Sequence, residues 1–243
     1  MRIGILQADS VLVQFQPDHG NYPGMIAGIL GQAATELNLK AEFRNYDVEH
    51  GIYPDAIDEC DGYVITGSKK SVYDDDPWID ALKEYTRELH NAEKKLVGLC
   101  FGHQLVAEAL GGKTVGAELG WCVGIHENEI VQSKWFMDGE ELDLFTLIVS
   151  HKDQVIQLPK GAQLLASAKQ CTNSMYCIDD HIFTMQGHPE FTQEYSRDLM
   201  DMRQETLGAG TYTAGVASLD KPLMREIVSR WIIRFMKGKP SVN

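Results

Sequence analysis

Residues 95–104 read Lys-Leu-Val-Gly-Leu-Cys-Phe-Gly-His-Gln. Lys95–Leu99 is a short apolar run that predicts a buried strand. Phe101–Leu110 carries helical spacing and is closed by Gly111-Gly112, which predicts a helix ended by glycine. Cys100 therefore falls at a strand-to-helix junction, flanked by Gly98 and Gly102. This is the layout of a nucleophile elbow, in which the reactive side chain sits on a sharp turn and the glycines let neighbouring backbone approach. Such a turn lies at the carboxyl edge of an α/β sheet, where open sheets bind ligands. A thiol at a helix N-terminus is also favoured as thiolate. The alternative for Cys100 taken alone is a small buried residue, since free cysteines often pack that way.

Working outward, short apolar runs alternate with amphipathic ones. Arg2–Gln7, Ala41–Tyr46 and Gly62–Thr66 read as strands. Tyr22–Leu39 reads as a helix, with Met25, Ile29, Ala33 and Leu37 recurring every four residues. Asp74–Asp76 ahead of Pro77, with Trp78, Leu82, Tyr85 and Leu89 following, predicts an acid-capped helix start. Ile125–Val131, Leu144–Ser150, Ala162–Ala168 and Ile182–Met185 read as strands, and Phe191–Leu207 and Pro222–Lys237 as helices. Gly208–Ser218 reads as an irregular connection. The expected fold is α/β: an open, mostly parallel, flavodoxin-like sheet flanked by helices, with additional antiparallel strands from the middle of the chain. Residues 2–207 form the expected domain, and 208–243 an irregular segment plus a C-terminal helix packed on it.

Composition limits the function. At 243 residues with 44% hydrophobic content, the chain can bury a full core without staples, and disorder is excluded. A net charge of -13 repels phosphate backbones and anionic lipid, so neither nucleic acid nor a membrane is an expected partner. Cys60, Cys100, Cys122, Cys171 and Cys177 are odd in number and irregular in spacing, unlike a disulfide framework or a zinc cage. With no signal-peptide pattern at the N-terminus, a reducing cytoplasm is the expected compartment. No metal or other cofactor is expected.

A thiol nucleophile needs a base. Strand 182–185 runs into Gln186-Gly187-His188-Pro189-Glu190. Pro189 keeps His188 extended, and residues i and i+2 of an extended chain point the same way, so Glu190 can accept the second ring N–H of His188. That arrangement fixes a tautomer and stabilises an imidazolium. It requires strands 95–99 and 182–185 to be parallel neighbours; otherwise His188 is a strand-end histidine in an ordinary turn. His103 follows Cys100 on the same helix, a sequence proximity that is not a base–nucleophile geometry. Acyl chemistry also needs oxyanion donors. Phe101 N–H is one candidate, and the turn at Gly67-Ser68 after strand 62–66 offers others. On local signal that turn reads equally as a plain strand end.

Taken together, Gly98-Leu-Cys-Phe-Gly-His-Gln104, Ile65-Thr-Gly-Ser68, Ser150-His-Lys-Asp153 and Gly187-His-Pro-Glu190 resemble the class I, triad-type glutamine amidotransferases. The likeness is to the glutaminase domain of GMP synthase and to free-standing γ-glutamyl peptidases. It spans about residues 2–207. It implies Cys100 as nucleophile, His188 as base and Glu190 as its carboxylate. The oxyanion donors it implies are the backbone of Ser68 and Phe101, with Gly67 beside them. Gln104 and the Ser150-His151-Lys152 segment fall where the family holds the substrate. The implied reaction is hydrolysis of glutamine or a γ-glutamyl compound through a cysteine thioester, releasing ammonia or an amine.

Two positions depart from the family pattern: Gly67-Ser68-Lys69 stands where relatives of the GMP-synthase type carry Gly-Gly-Pro, and Lys152 where many carry glycine. Both put side chains at the pocket edge. The chain has no G-x-x-x-x-G-K-[ST] phosphate loop, so a synthetase would be a separate subunit. A non-enzymatic binding or regulatory protein on the same scaffold is the third reading.

Overall fold

The computed structural model describes residues 1–137 and 142–239. Five parallel strands form one half of a nine-stranded sheet: β1 (Arg2–Gln7), β2 (Glu42–Asp47), β3 (Gly62–Ile65), β4 (Lys95–Leu99) and β11 (Ile182–Met185), in the order β2-β1-β3-β4-β11. This is the flavodoxin-type order. The sheet continues in antiparallel fashion through β10 (Cys171–Ile178), β9 (Ala162–Ala168), β6 (Cys122–Ile130) and β7 (Leu144–His151). A separate antiparallel pair joins β5 (Lys113–Gly116) to β8 (Asp153–Gln157).

Alternation along the strands divides the core. Ile3, Ile5, Val64, Val97 and Leu99 face α2 (Tyr22–Glu36) and α7 (Arg225–Lys237). Leu6, Tyr63, Ile65 and Leu96 face α3 (Pro77–Asn91) and α4 (Phe101–Ala109). Both faces of the parallel half are thus covered, as such sheets require. A short helix α1 (Gln16–His19) leads into α2, and α5 (Gln193–Met202) packs across β6 and β7.

The structure departs from the sequence expectations in four places. Residues 208–218 are helical: they belong to α6 (Gln204–Ser218), whose turns break only at Gly208, with φ 73° and ψ 156°. Its small residues let the helix lie against β6, where Gly215 contacts Val123 and Met200; packing, which has no local sequence signature, makes this helix. Strands β5, β8 and β10 were not expected. The C-terminal helix starts at Arg225 rather than Pro222, and residues 240–243 of the expected second segment lie outside the described residues. Finally, Pro77 does open α3, but Asp76 makes no capping hydrogen bond. Instead Asp76 pairs with Lys70 at 2.7 Å and Asp74 accepts from Ser71 N–H at 3.0 Å, so these acids brace the loop before the helix.

Candidate active site

The carboxyl ends of β1, β3, β4 and β11 converge on one cleft. Cys100 stands between β4 and α4 at φ 51° and ψ -101°, a backbone region that non-glycine residues rarely occupy and that persists where the surroundings enforce it. The enforcement is visible at the flanking glycines. A Cβ on Gly98 would lie 2.6 Å from Gly102 O, and one on Gly102 2.6 Å from Ile65 O. No side chain fits at either position, and the turn is correspondingly tight.

β4 and β11 are parallel neighbours, with Leu99 in register with Met185. Beyond β11 the chain crosses to β7, where His188 N–H donates to Ile148 O at 2.8 Å. This brings the His188 ring to Cys100. His188 Nδ1 lies 2.8 Å from Glu190 Oε1, and both side chains are buried. Phe191 stacks on the imidazole at 3.9 Å between centroids. Burial works against a charged imidazole here, but Cys100 and then Glu190, as charges and hydrogen-bond partners, outweigh it and raise the His188 pKa to about 10.

The turn after β3 presses on the same centre, since a Cβ on Gly67 would lie 2.9 Å from His188 Cε1. Its backbone donors sort cleanly. Thr66 N–H goes to Leu6 O, Lys69 N–H to Asp9 Oδ2 and Lys70 N–H to Ser68 Oγ. Among the described residues, Gly67 N–H and Ser68 N–H find no acceptor. Phe101 N–H, in the first turn of α4, is likewise left open by helix geometry.

The cleft is small, with a cavity of about 70 Å³ that opens to solvent. Gly67, Ser68, Cys100, Gln104, Ser150, His151, Lys152 and His188 all line it. Gln104 Nε2 donates inward, to Asp153 O at 2.8 Å and Gln186 Oε1 at 3.0 Å, while Gln186 Nε2 reaches Cys100 Sγ at 3.4 Å. This amide chain ties α4, β8 and the end of β11 together behind the thiol. His151 Nδ1–H donates to Asp153 O at 2.8 Å. Trp121, Tyr22, Lys69, Lys70, Asp153, Phe191, Leu199 and Arg203 complete the walls. Gln186 directly precedes one quoted motif and Asp153 closes another. Arg203 and Tyr22 carry no local signal, because helix packing alone brings them here. Among the described residues, no cluster of three or more His, Cys, Asp or Glu could hold a metal ion.

The chain belongs to the class-I glutamine amidotransferases: that family's model matches residues 25–201. It is 32% identical to gamma-glutamyl peptidase 3 of Arabidopsis thaliana, over 90% of each chain, and 30% identical to a putative glutamine amidotransferase of Saccharomyces cerevisiae, over 85% of each. A glutamine amidotransferase from Thermotoga maritima superposes with a TM-score of 0.71 at 18% identity, covering 97% of this chain and 96% of that one, a likeness of fold. Among the described residues, no helix is long and apolar enough to cross a membrane.

Proposed function

We propose that the protein hydrolyses the side-chain amide of a γ-glutamyl compound through a thioester on Cys100. The observation that carries this reading is the buried line Cys100–His188–Glu190, with His188 2.8 Å from Glu190 and Cys100 on a strained elbow. In the first half-reaction the Cys100 thiolate attacks the amide carbonyl carbon. The oxyanion is held by the free N–H groups of Phe101 and Ser68, with Gly67 adjoining. His188 gives its proton to the departing nitrogen, the C–N bond breaks, and ammonia or an amine leaves. Water then passes a proton to His188 and adds to the thioester, the C–S bond breaks, and glutamate is released. Glu190 holds the imidazole orientation and balances its charge throughout. No cofactor enters these steps.

Ser68, Lys69 and Lys152 line the cleft, and similarity to gamma-glutamyl peptidases of Arabidopsis thaliana favours γ-glutamyl peptides alongside glutamine. A second reading, an ammonia-supplying protein silent without a separate synthetase, is favoured by 31% identity over 116 residues to a glutamine-hydrolyzing GMP synthase subunit of Methanosphaera stadtmanae.

The test is glutamate release from L-glutamine and γ-glutamyl dipeptides by the purified chain and by Cys100→Ala. Wild type should turn over at least one substrate, and the variant should lose roughly 10,000-fold or more. Equal silence of both proteins on every substrate overturns the hydrolase reading. Turnover that appears only with an added synthetase selects the second one.

A further inference from the structure

Every γ-glutamyl substrate carries a carboxylate on its α-carbon, and a cleft that admits it must balance that charge. Lys69, Lys70, Lys152 and Arg203 line the cleft. Two of them already face acids: Lys69 Nζ lies 2.6 Å from Asp9 and Lys70 Nζ 2.7 Å from Asp76. Lys152 is exposed, a strongly hydrated charge on a flexible stem.

Arg203 differs from all three. Its backbone is fixed at the junction of α5 and α6. Its guanidinium lies 5.1 Å over the Trp121 ring, and Nη1 donates to Ser150 Oγ at 3.1 Å. Among the described residues it makes no ion pair. A guanidinium has five N–H donors in a planar fork, so most of its capacity remains unspent. The ring and the hydroxyl hold the fork in place, so little side-chain freedom is left to lose when an anion arrives. In a chain of net charge -13, where anions are generally repelled, an ordered cation without an acid partner, set in the wall of a cleft, marks a place for a carboxylate.

We infer that Arg203, steadied by Trp121 and Ser150, is a specificity-determining residue that holds the α-carboxylate of the γ-glutamyl group. The inference rests on the hydrolase reading above for the identity of its ligand. The planar fork suits a carboxylate, which it can grip through two parallel N–H···O bonds.

The test is equilibrium binding by calorimetry, which needs no turnover. L-glutamate and its α-amide (isoglutamine), which keeps the γ-carboxylate but lacks the α-carboxylate charge, are titrated into wild type, Arg203→Met and Arg203→Lys. Methionine keeps aliphatic bulk over Trp121, and lysine keeps charge without the fork. Arg203→Met should weaken L-glutamate binding by roughly 10- to 100-fold, the worth of a charged hydrogen-bonded contact, and remove the preference over the α-amide. Arg203→Lys should recover part of both, and it keeps the inference falsifiable if the methionine variant unfolds. Wild-type affinity in Arg203→Met, no preference for L-glutamate in wild type, or no binding by wild type each overturns the inference. Carboxylate-dependent binding without turnover by wild type leaves Arg203 as an anion anchor and defeats the hydrolase reading instead. Turnover with Arg203-independent binding does the reverse.

Discussion

His188 and His103 flank the same strand, β11, and both are buried, yet their protons are drawn in opposite directions. Burial pushes His103 down to about 3, helped by repulsion from His151, and burial likewise takes His151 to about 3. His103 accepts this neutrality. Its Nδ1 meets Thr184 Oγ1 at 2.8 Å, which a neutral ring satisfies. His188 suffers the same burial but faces Cys100 and Glu190, and it is raised to about 10. Burial by itself silences a histidine. An anion buried with it makes it a group that carries a proton and hands it on.

Removing the Glu190 charge should bring His188 part of the way toward His103, with Cys100 still raising it. In Glu190→Gln the side chain keeps its shape but cannot balance an imidazolium. The expected fall in kcat is roughly 1,000-fold, or about 4 kcal/mol of barrier. The His188 ring should titrate well below its wild-type value in an NMR pH series. A kcat within threefold of wild type would show that Glu190 does not act through His188.

The opposite shifts also give stability opposite slopes with pH. His103 and His151 have folded values near 3 against a reference of 6.5. The unfolded chain therefore takes up protons first as pH falls below 6.5, and stability is lost progressively down toward pH 3. At pH 5 this amounts to about 2 kcal/mol for each histidine, at about 1.4 kcal/mol per pH unit. His188, raised from 6.5 to about 10, contributes stability that is fully present below 6.5 and is lost as pH rises toward 10. Urea unfolding of wild type between pH 5 and pH 9 should show both falls. His103→Gln should show a smaller acid-side loss, with the alkaline side unchanged. An acid-side loss identical in the two proteins would mean that His103 is not held neutral by the fold.

The parallel half of the molecule was far more legible in the sequence than the antiparallel half, for physical reasons. Strands buried on both faces are short continuous apolar runs, so β1, β3 and β4 stood out, and the elbow glycines mark a close approach that admits no side chain. His188 and Glu190 were legible as a pair two residues apart, although Pro189 and Glu190 lie in a turn and not in the extended chain that the sequence suggests. The weak places were those set by partners distant in sequence. β8 and β10 mix polar and apolar residues and pair only once the sheet exists. α6 is a run of glycines, alanines and threonines that is helical because it lies on β6. Arg203, Gln186 and the Asp9–Lys69 contact were invisible for the same reason: each matters through a neighbour that only the folded topology supplies.

That last contact offers the finest test, because Asp9 is a buried carboxylate like Glu190 but braces the Gly67-Ser68 turn instead of His188. Asp9 Oδ2 accepts Lys69 N–H at 2.8 Å, and Oδ1 accepts Ser10 N–H at 2.8 Å and Lys69 Nζ at 2.6 Å. Thr66 Oγ1 braces the other end of the turn, accepting Ala8 N–H and donating to Gly67 O, both at 2.9 Å. Between these two clamps, the N–H groups of Gly67 and Ser68 are left for the cleft. Asp9→Asn keeps the shape and one acceptor but weakens the grip on Lys69. Its expected effect is a fall in kcat of roughly 3- to 10-fold, about 1 kcal/mol for one weakened hydrogen-bonded contact, with KM and the His188 titration unchanged. A change confined to KM would place Asp9 in substrate binding. A loss as large as that of Glu190→Gln, accompanied by a shifted His188 titration, would mean that the two carboxylates act on one proton and that the turn and the base are not separate devices.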